Sequence, residues 1–99
     1  MHARVGSYEG SPDQAEAGIR NFEGLTDRLR RLEGFQGAYL LVDRGTGKAL
    51  TMTLWSSEEA AQASAEQAKQ MRSDAAGGAG MSIGSVETYE VALQIQATG

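Results

Sequence analysis

Residues 32–55 read LEGFQGAYLLVDRGTGKALTMTLW, and this stretch restricts the fold more than any other. Residues 35–43 and 49–55 are rich in aromatic and branched side chains, and Arg44-Gly45-Thr46-Gly47 lies between them. Glycines there supply the positive φ that a tight reversal needs, so the stretch predicts two antiparallel strands. If Asp43 pairs with Lys48, Leu41 lies opposite Leu50, Tyr39 opposite Met52 and Gly37 opposite Leu54. Side chains alternate across a strand. One face then carries Phe35, Tyr39, Leu41, Leu50, Met52 and Leu54. The other carries Gln36, Ala38, Leu40, Val42, Ala49, Thr51, Thr53 and Trp55. Both faces are largely apolar, whereas a sheet wetted on one side shows polar residues there. Each side must be covered.

Two helices can cover one side. Ser11 is a candidate N-cap, with Pro12 at the first helical position and Gln14 completing a capping box. Ala15, Ile19, Phe22, Leu25, Leu29 and Leu32 follow at helical spacing, with Glu16, Arg20, Asp27, Arg30 and Arg31 opposite and Gly34 as the stop. A second helix starts at Ser56 or Ser57 and carries a thin stripe of Ala61, Ser64, Ala65, Ala68 and Met71. It is expected to end between residues 72 and 76. Residues 73–84, rich in glycine, read as a flexible loop and candidate lid. Strands are expected at residues 3–8 and 86–96, the latter with Tyr89, Val91, Leu93 and Ile95 on one face. The order β-α-β-β-α-β is the ferredoxin-like split βαβ: an α+β fold with two helices on one face of a four-stranded antiparallel sheet.

The second face would be bare on an isolated chain. Leaving Phe35, Tyr39, Leu41, Leu50, Met52 and Leu54 wet forfeits roughly 1.5–3 kcal/mol apiece. Such a patch signals an interface, and a two-fold homodimer with sheets face to face is the simplest way to cover it. Ninety-nine residues (1–99) make one small domain. A net charge of −4 argues against a nucleic-acid partner, since Arg28, Arg30 and Arg31 are interleaved with Glu23, Asp27 and Glu33. No apolar run is long enough to span a membrane and no signal-peptide pattern opens the chain, so the cytoplasm is the expected compartment.

The usual catalytic constellations are missing. With no Cys and one His, the sequence offers no zinc site or thiol chemistry, so no metal is expected. Gly45-Thr46-Gly47-Lys48 suits a hairpin turn better than a phosphate loop. Gly77-Gly78-Ala79-Gly80 follows a helix, not the strand that a dinucleotide fingerprint requires. Glu58-Glu59 and Asp13-Glu16 sit at helix starts, where the macrodipole explains them. No residue is assigned a catalytic role.

The chain resembles the antibiotic biosynthesis monooxygenase-like proteins of the dimeric α+β barrel superfamily. The likeness rests on the element order, on Leu32-Glu33-Gly34-Phe35-Gln36-Gly37, and on Leu50-Thr51-Met52-Thr53-Leu54-Trp55 followed by Ser56-Ser57-Glu58-Glu59-Ala60. It is best over residues 32–65 and poor in the glycine-rich segment. It implies a homodimer, a pocket between sheet and helices, and oxidation of small phenolic or polyketide-like substrates by oxygen with no cofactor. Another branch of the family cleaves haem. In the quinone-forming members an Asn lies four residues before the Trp on the third strand; here Trp55 matches, but Thr51 replaces the Asn and lacks its amide carbonyl. The haem-cleaving branch needs an Asn on the first strand and a His in the second helix, where this chain has Ala3 and Ala65; its one His is His2. Haem degradation is therefore not expected.

The candidate pocket residues are Trp55, Thr51, Thr53, Phe22, Ile19, Leu40 and Arg4, with Arg4 a possible partner for an anionic substrate group. Two functions remain open: a cofactor-free monooxygenase, and a non-catalytic dimer that binds a small aromatic or hydrophobic ligand or serves a stress-related role. Polar groups converging near Trp55 would favour the first. A wholly apolar wall would favour the second.

Overall fold

Residues 1–97 are described in the computed structural model. The elements run β1 (His2–Glu9), α1 (Ala15–Glu23), α2 (Thr26–Arg30), β2 (Phe35–Val42), β3 (Ala49–Trp55), α3 (Glu58–Ala63), α4 (Ala65–Ala79) and β4 (Ser82–Glu90). The strands form one antiparallel sheet in the order β2-β3-β1-β4, the ferredoxin-like topology. The β2–β3 register is the one the alternation predicts: Leu41 lies opposite Leu50, Tyr39 opposite Met52 and Gly37 opposite Leu54. Asp43 closes the turn by accepting the Gly47 N–H and donating its own N–H to the Lys48 carbonyl.

Both predicted helices form, and each is broken once. Gln14 Oε1 accepts the Ser11 N–H at 2.8 Å, the reciprocal half of a capping box, over one 3-10 turn at Pro12–Gln14. α1 gives way to α2 at Gly24 and Leu25, where Thr26 Oγ1 donates to the Glu23 carbonyl at 2.6 Å and competes with the helical ladder. α3 is capped by Ser57, whose Oγ accepts the Ala60 N–H at 3.1 Å. Ser64 separates α3 from α4 and bonds back to the Ala61 carbonyl. The thin stripe of the second helix proves correct at Ala61, Ser64, Ala68 and Met71, all buried, while Ala65 is exposed.

Three expectations need correction. The first concerns the predicted loop at residues 73–84. It is helical through Ala79, and β4 starts at Ser82. Ala76 and Ala79 bury themselves one turn apart, and that packing overrides the two glycines between them. The helix stops at Gly80, which has φ 74°. Its N–H bonds the Gly77 carbonyl and the Met81 N–H bonds the Ala76 carbonyl. That pair of bonds is a Schellman cap, and it needs a residue at ease in the left-handed region.

The second correction concerns the last strand, which spans residues 82–90 instead of 86–96. β1 dictates this: Glu9 pairs with Ser82 and His2 with Glu90. Beyond the bond from the Val91 N–H to the Met1 carbonyl, β1 offers no further backbone. Leu93 and Ile95 extend past the sheet and are exposed.

The third correction is Phe35. The register shifts between Phe35 and Gly37, and an extra residue in a strand reverses the side its neighbours face. Phe35 therefore leaves the Tyr39 face and packs on the helix side. There it meets the core of Leu25, Leu29 and Met71 and the edge of the Trp55 ring, at 5.6 Å between centroids.

Candidate functional site

The helix side of the sheet holds a partly open cavity of about 60 Å³. Ile19 and Phe22 come from α1, Leu25 and Leu29 from α2 and the residue before it, and Met71, Arg72 and Ala75 from α4. The sheet contributes Arg4 and Tyr8 from β1, Leu40 and Val42 from β2, and Ala49, Thr51 and Thr53 from β3. This space exceeds several-fold the roughly 10–15 Å³ that one water requires. It falls short of the ~300 Å³ or more typical of pockets for drug-sized ligands.

The wall is mostly apolar, with Arg4, Tyr8, Thr51, Thr53 and Arg72 its polar members. Tyr8 Oη and Thr51 Oγ1 share a hydrogen bond of 3.3 Å. They meet above Gly6 on the middle strand. A Cβ there would lie 2.9 Å from Thr51 Oγ1 and 3.1 Å from Tyr8 Oη, so a side chain at that position would push the hydroxyls apart. Burial pushes the Tyr8 hydroxyl pKa above its ordinary value, against smaller opposing effects of the Thr51 bond and Arg72. At neutral pH Tyr8 stays protonated and can donate.

Arg4 is only 6% exposed. One guanidinium nitrogen, Nη2, donates to the Ala61 carbonyl, and Cζ lies 5.2 Å from the centroid of the Trp55 ring. The other, Nη1, is buried with no hydrogen-bond partner among the described residues. Burial, and then repulsion from Arg72, lower the Arg4 pKa from its ordinary value. A buried cation without a counter-ion is uncommon, because desolvation opposes it.

Six of the seven predicted pocket residues line the cavity: Thr51, Thr53, Phe22, Ile19, Leu40 and Arg4. Trp55 does not. It is fully buried beneath them, its Nε1 donating to Thr53 Oγ1 at 2.9 Å and its ring carrying the Arg4 guanidinium. It therefore acts on the cavity through Thr53 and Arg4. Tyr8, Met71 and Arg72 were missed by the sequence reading. Tyr8 was legible, since it follows Arg4 and Gly6 at the period of two that one strand face requires. No His lines the cavity; His2 lies in an outer cleft with Glu58, its Nε2 4.0 Å from a carboxylate oxygen of Glu58.

A ferredoxin-like sheet with a cavity under its helices defines a class of small α+β pocket domains. Within it, the chain belongs to the antibiotic biosynthesis monooxygenase family, whose sequence profile matches residues 1–75. It is 32% identical over 96 residues to the uncharacterised Mycobacterium tuberculosis proteins MT2635 and Rv2558. The match takes in 94% of this chain and 39% of theirs, so the chain spans well under half the length of these curated relatives. Among the solved structures that share the fold are a haem-degrader and a cofactor-independent oxygenase. The haem-degrader MhuD of Mycobacterium tuberculosis, solved with two haems in its active site, superposes with TM-score 0.74 at 21% identity, over 97% of this chain and 100% of MhuD. SnoaB of Streptomyces nogalater, a cofactor-independent oxygenase, superposes with TM-score 0.70 at 14% identity, over 97% of each chain.

Proposed function

We propose that the chain is a cofactor-independent monooxygenase acting on a small phenolic or polyketide-like substrate within a homodimer. One observation carries this reading: a mostly apolar cavity with four polar side chains in its wall, of which Tyr8 and Thr51 share a hydrogen bond and Thr53 and Arg4 rest on Trp55. Family membership and the fold shared with SnoaB support it. In such a reaction the substrate's anion reacts with oxygen. A phenol and O2 give a quinone and water, one oxygen atom staying on the ring and the other leaving with two hydrogens from the substrate. The protein supplies dryness, orientation and hydrogen bonds. Among the described residues no carboxylate or imidazole lines the cavity, so the substrate's proton leaves for solvent and the arginines stabilise the anion left behind. Among the same residues no His or Cys lines it to ligate a haem iron.

The homodimer rests on the open face of the sheet, where Tyr39, Leu41, Leu50 and Tyr89 are exposed and Met52 and Leu54 half-buried. A second copy laid on this face would bury them. Light scattering at micromolar concentration should give a dimer mass. Leu41→Glu should halve it or unfold the chain; an unaltered, equally stable dimer would refute this interface.

The second reading is a non-catalytic ligand-binding dimer. Thr51 in place of Asn and the lack of a lining base favour it. An oxygen electrode separates the two. With a panel of phenols and hydroquinones, saturable oxygen uptake that Thr51→Ala slows supports the oxygenase. Binding without uptake across the panel supports the second reading.

A further inference from the structure

The cavity adjoins an outer cleft formed by β1, α3, α4 and β4. Arg4 and Arg72 are the two residues that line both, so the guanidiniums stand at the boundary between them. Among the described residues neither forms an ion pair. Arg4 is more than nine-tenths buried and its Nη1 is unpartnered. Arg72 is half-buried, and its Cδ would lie 3.5 Å from a Cβ placed on Gly6, under the Tyr8–Thr51 hydroxyl pair. His2 on β1, Glu58 on α3, Glu66 and Lys69 on α4, and Glu90 on β4 line the cleft and not the cavity. Two cations and two hydroxyls thus line one apolar cavity, with no carboxylate beside them among the described residues.

We propose that Arg4 and Arg72 form an anion site, and that the cavity takes an organic acid with one anionic oxygen group and a compact apolar body. The anionic group supplies the partner Arg4 Nη1 lacks and offsets the repulsion between the guanidiniums; a guanidinium fork suits a carboxylate or an aryl oxyanion. The Tyr8 and Thr51 hydroxyls are the remaining donors. Ile19, Phe22, Leu29 and Met71 receive the body. This rests on the cavity being the ligand site, and not on catalysis.

The test is an NMR titration of the full chain at pH 7 with benzoate, its neutral isostere benzamide, and 4-nitrophenol. Shifts are read at the Trp55 indole N–H and at the Thr51 and Met71 amides. Benzoate should bind at least about tenfold tighter than benzamide, the lower end for a hydrogen bond to a charged group. Arg72→Gln, at a half-buried position, should remove most of that preference, and Arg4→Gln should do the same. The 4-nitrophenol arm separates the two sources of the anion. Ionisation at lower pH when bound assigns the site to phenolates as well. Unchanged ionisation with benzoate still preferred assigns it to carboxylates. Equal binding of benzoate and benzamide, indifferent to both substitutions, overturns the anion site but leaves the cavity as a ligand site. No shift with any probe overturns both.

Discussion

Replacing Arg4 by Met should leave the ligand-free protein as stable as before, or stabilise it by up to about 2 kcal/mol. Withdrawing a guanidinium from water costs several kcal/mol even after relaxation. Two contacts offset this. The bond to the Ala61 carbonyl contributes about 1.5–3 kcal/mol for a charged donor, and the Trp55 face at 5.2 Å about 1–2 kcal/mol when dry. The balance is near zero. Methionine fills comparable space and gains a sulfur–aromatic contact with Trp55 worth about 0.3–1.5 kcal/mol. The Ala61 carbonyl is not orphaned, because Ser64 Oγ also donates to it at 3.0 Å. The assay is urea unfolding at one fixed protein concentration, since association links stability to concentration. Without ligand, the midpoint of Arg4→Met should hold or rise. With saturating benzoate the wild-type midpoint should climb and that of the variant should lag. A loss of more than about 2 kcal/mol in the free variant would refute the reasoning, because it would mean that Arg4 is already compensated in the fold.

Three further outcomes are expected. Gly80→Ala places a Cβ at φ 74° and 2.9 Å from Gln14 Nε2, and should cost about 1–2 kcal/mol, or about 4–16 °C in Tm; Gly77→Ala, with open space around its Cβ, should stabilise by about 0.5–1 kcal/mol. Thermal melts that give both the same sign would contradict the cap. Burial raises the Tyr8 pKa, so the folded chain holds that proton after the unfolded chain has lost it. Stability from this source is complete below about pH 10 and falls as pH rises further. Tyr8→Phe should flatten that alkaline decline in urea midpoints, and an identical slope would rule Tyr8 out. Trp55, wholly buried, should show blue-shifted emission and little quenching by iodide; Trp55→Ala should lose about 3–5 kcal/mol and leave the chain largely unfolded.

The sheet was legible because its rules are local. Alternation and one turn fix the β2–β3 register, and the face that carries Thr51 and Thr53 follows from it. Phe35 escaped because a single extra residue before Gly37 reverses the parity, and no composition signal counts residues in a bulge. The end of α4 escaped because glycine content was weighed without the burial of Ala76 and Ala79, which only tertiary packing reveals. The length of β4 is set by β1, its partner, and not by its own pattern. In the site, the strand residues were readable by parity. Arg72 was not, since its approach to Arg4 depends on how α4 lies over the sheet.

The glycines near the end of α4 also bear on how fast a ligand can come and go. Gly77 and Gly78 each forgo about 1 kcal/mol of helix propensity, and Ala75, Ala76 and Met81 beside them form part of the cavity wall. A fraying equilibrium there is roughly thirtyfold more favourable than in an alanine helix, at about 1.4 kcal/mol per factor of ten. If Arg4 and Arg72 hold an acid as proposed, the last turns of α4 are the part of the wall that frays at least cost. Gly77→Ala should then slow release of a bound acid without changing the preference for an anion.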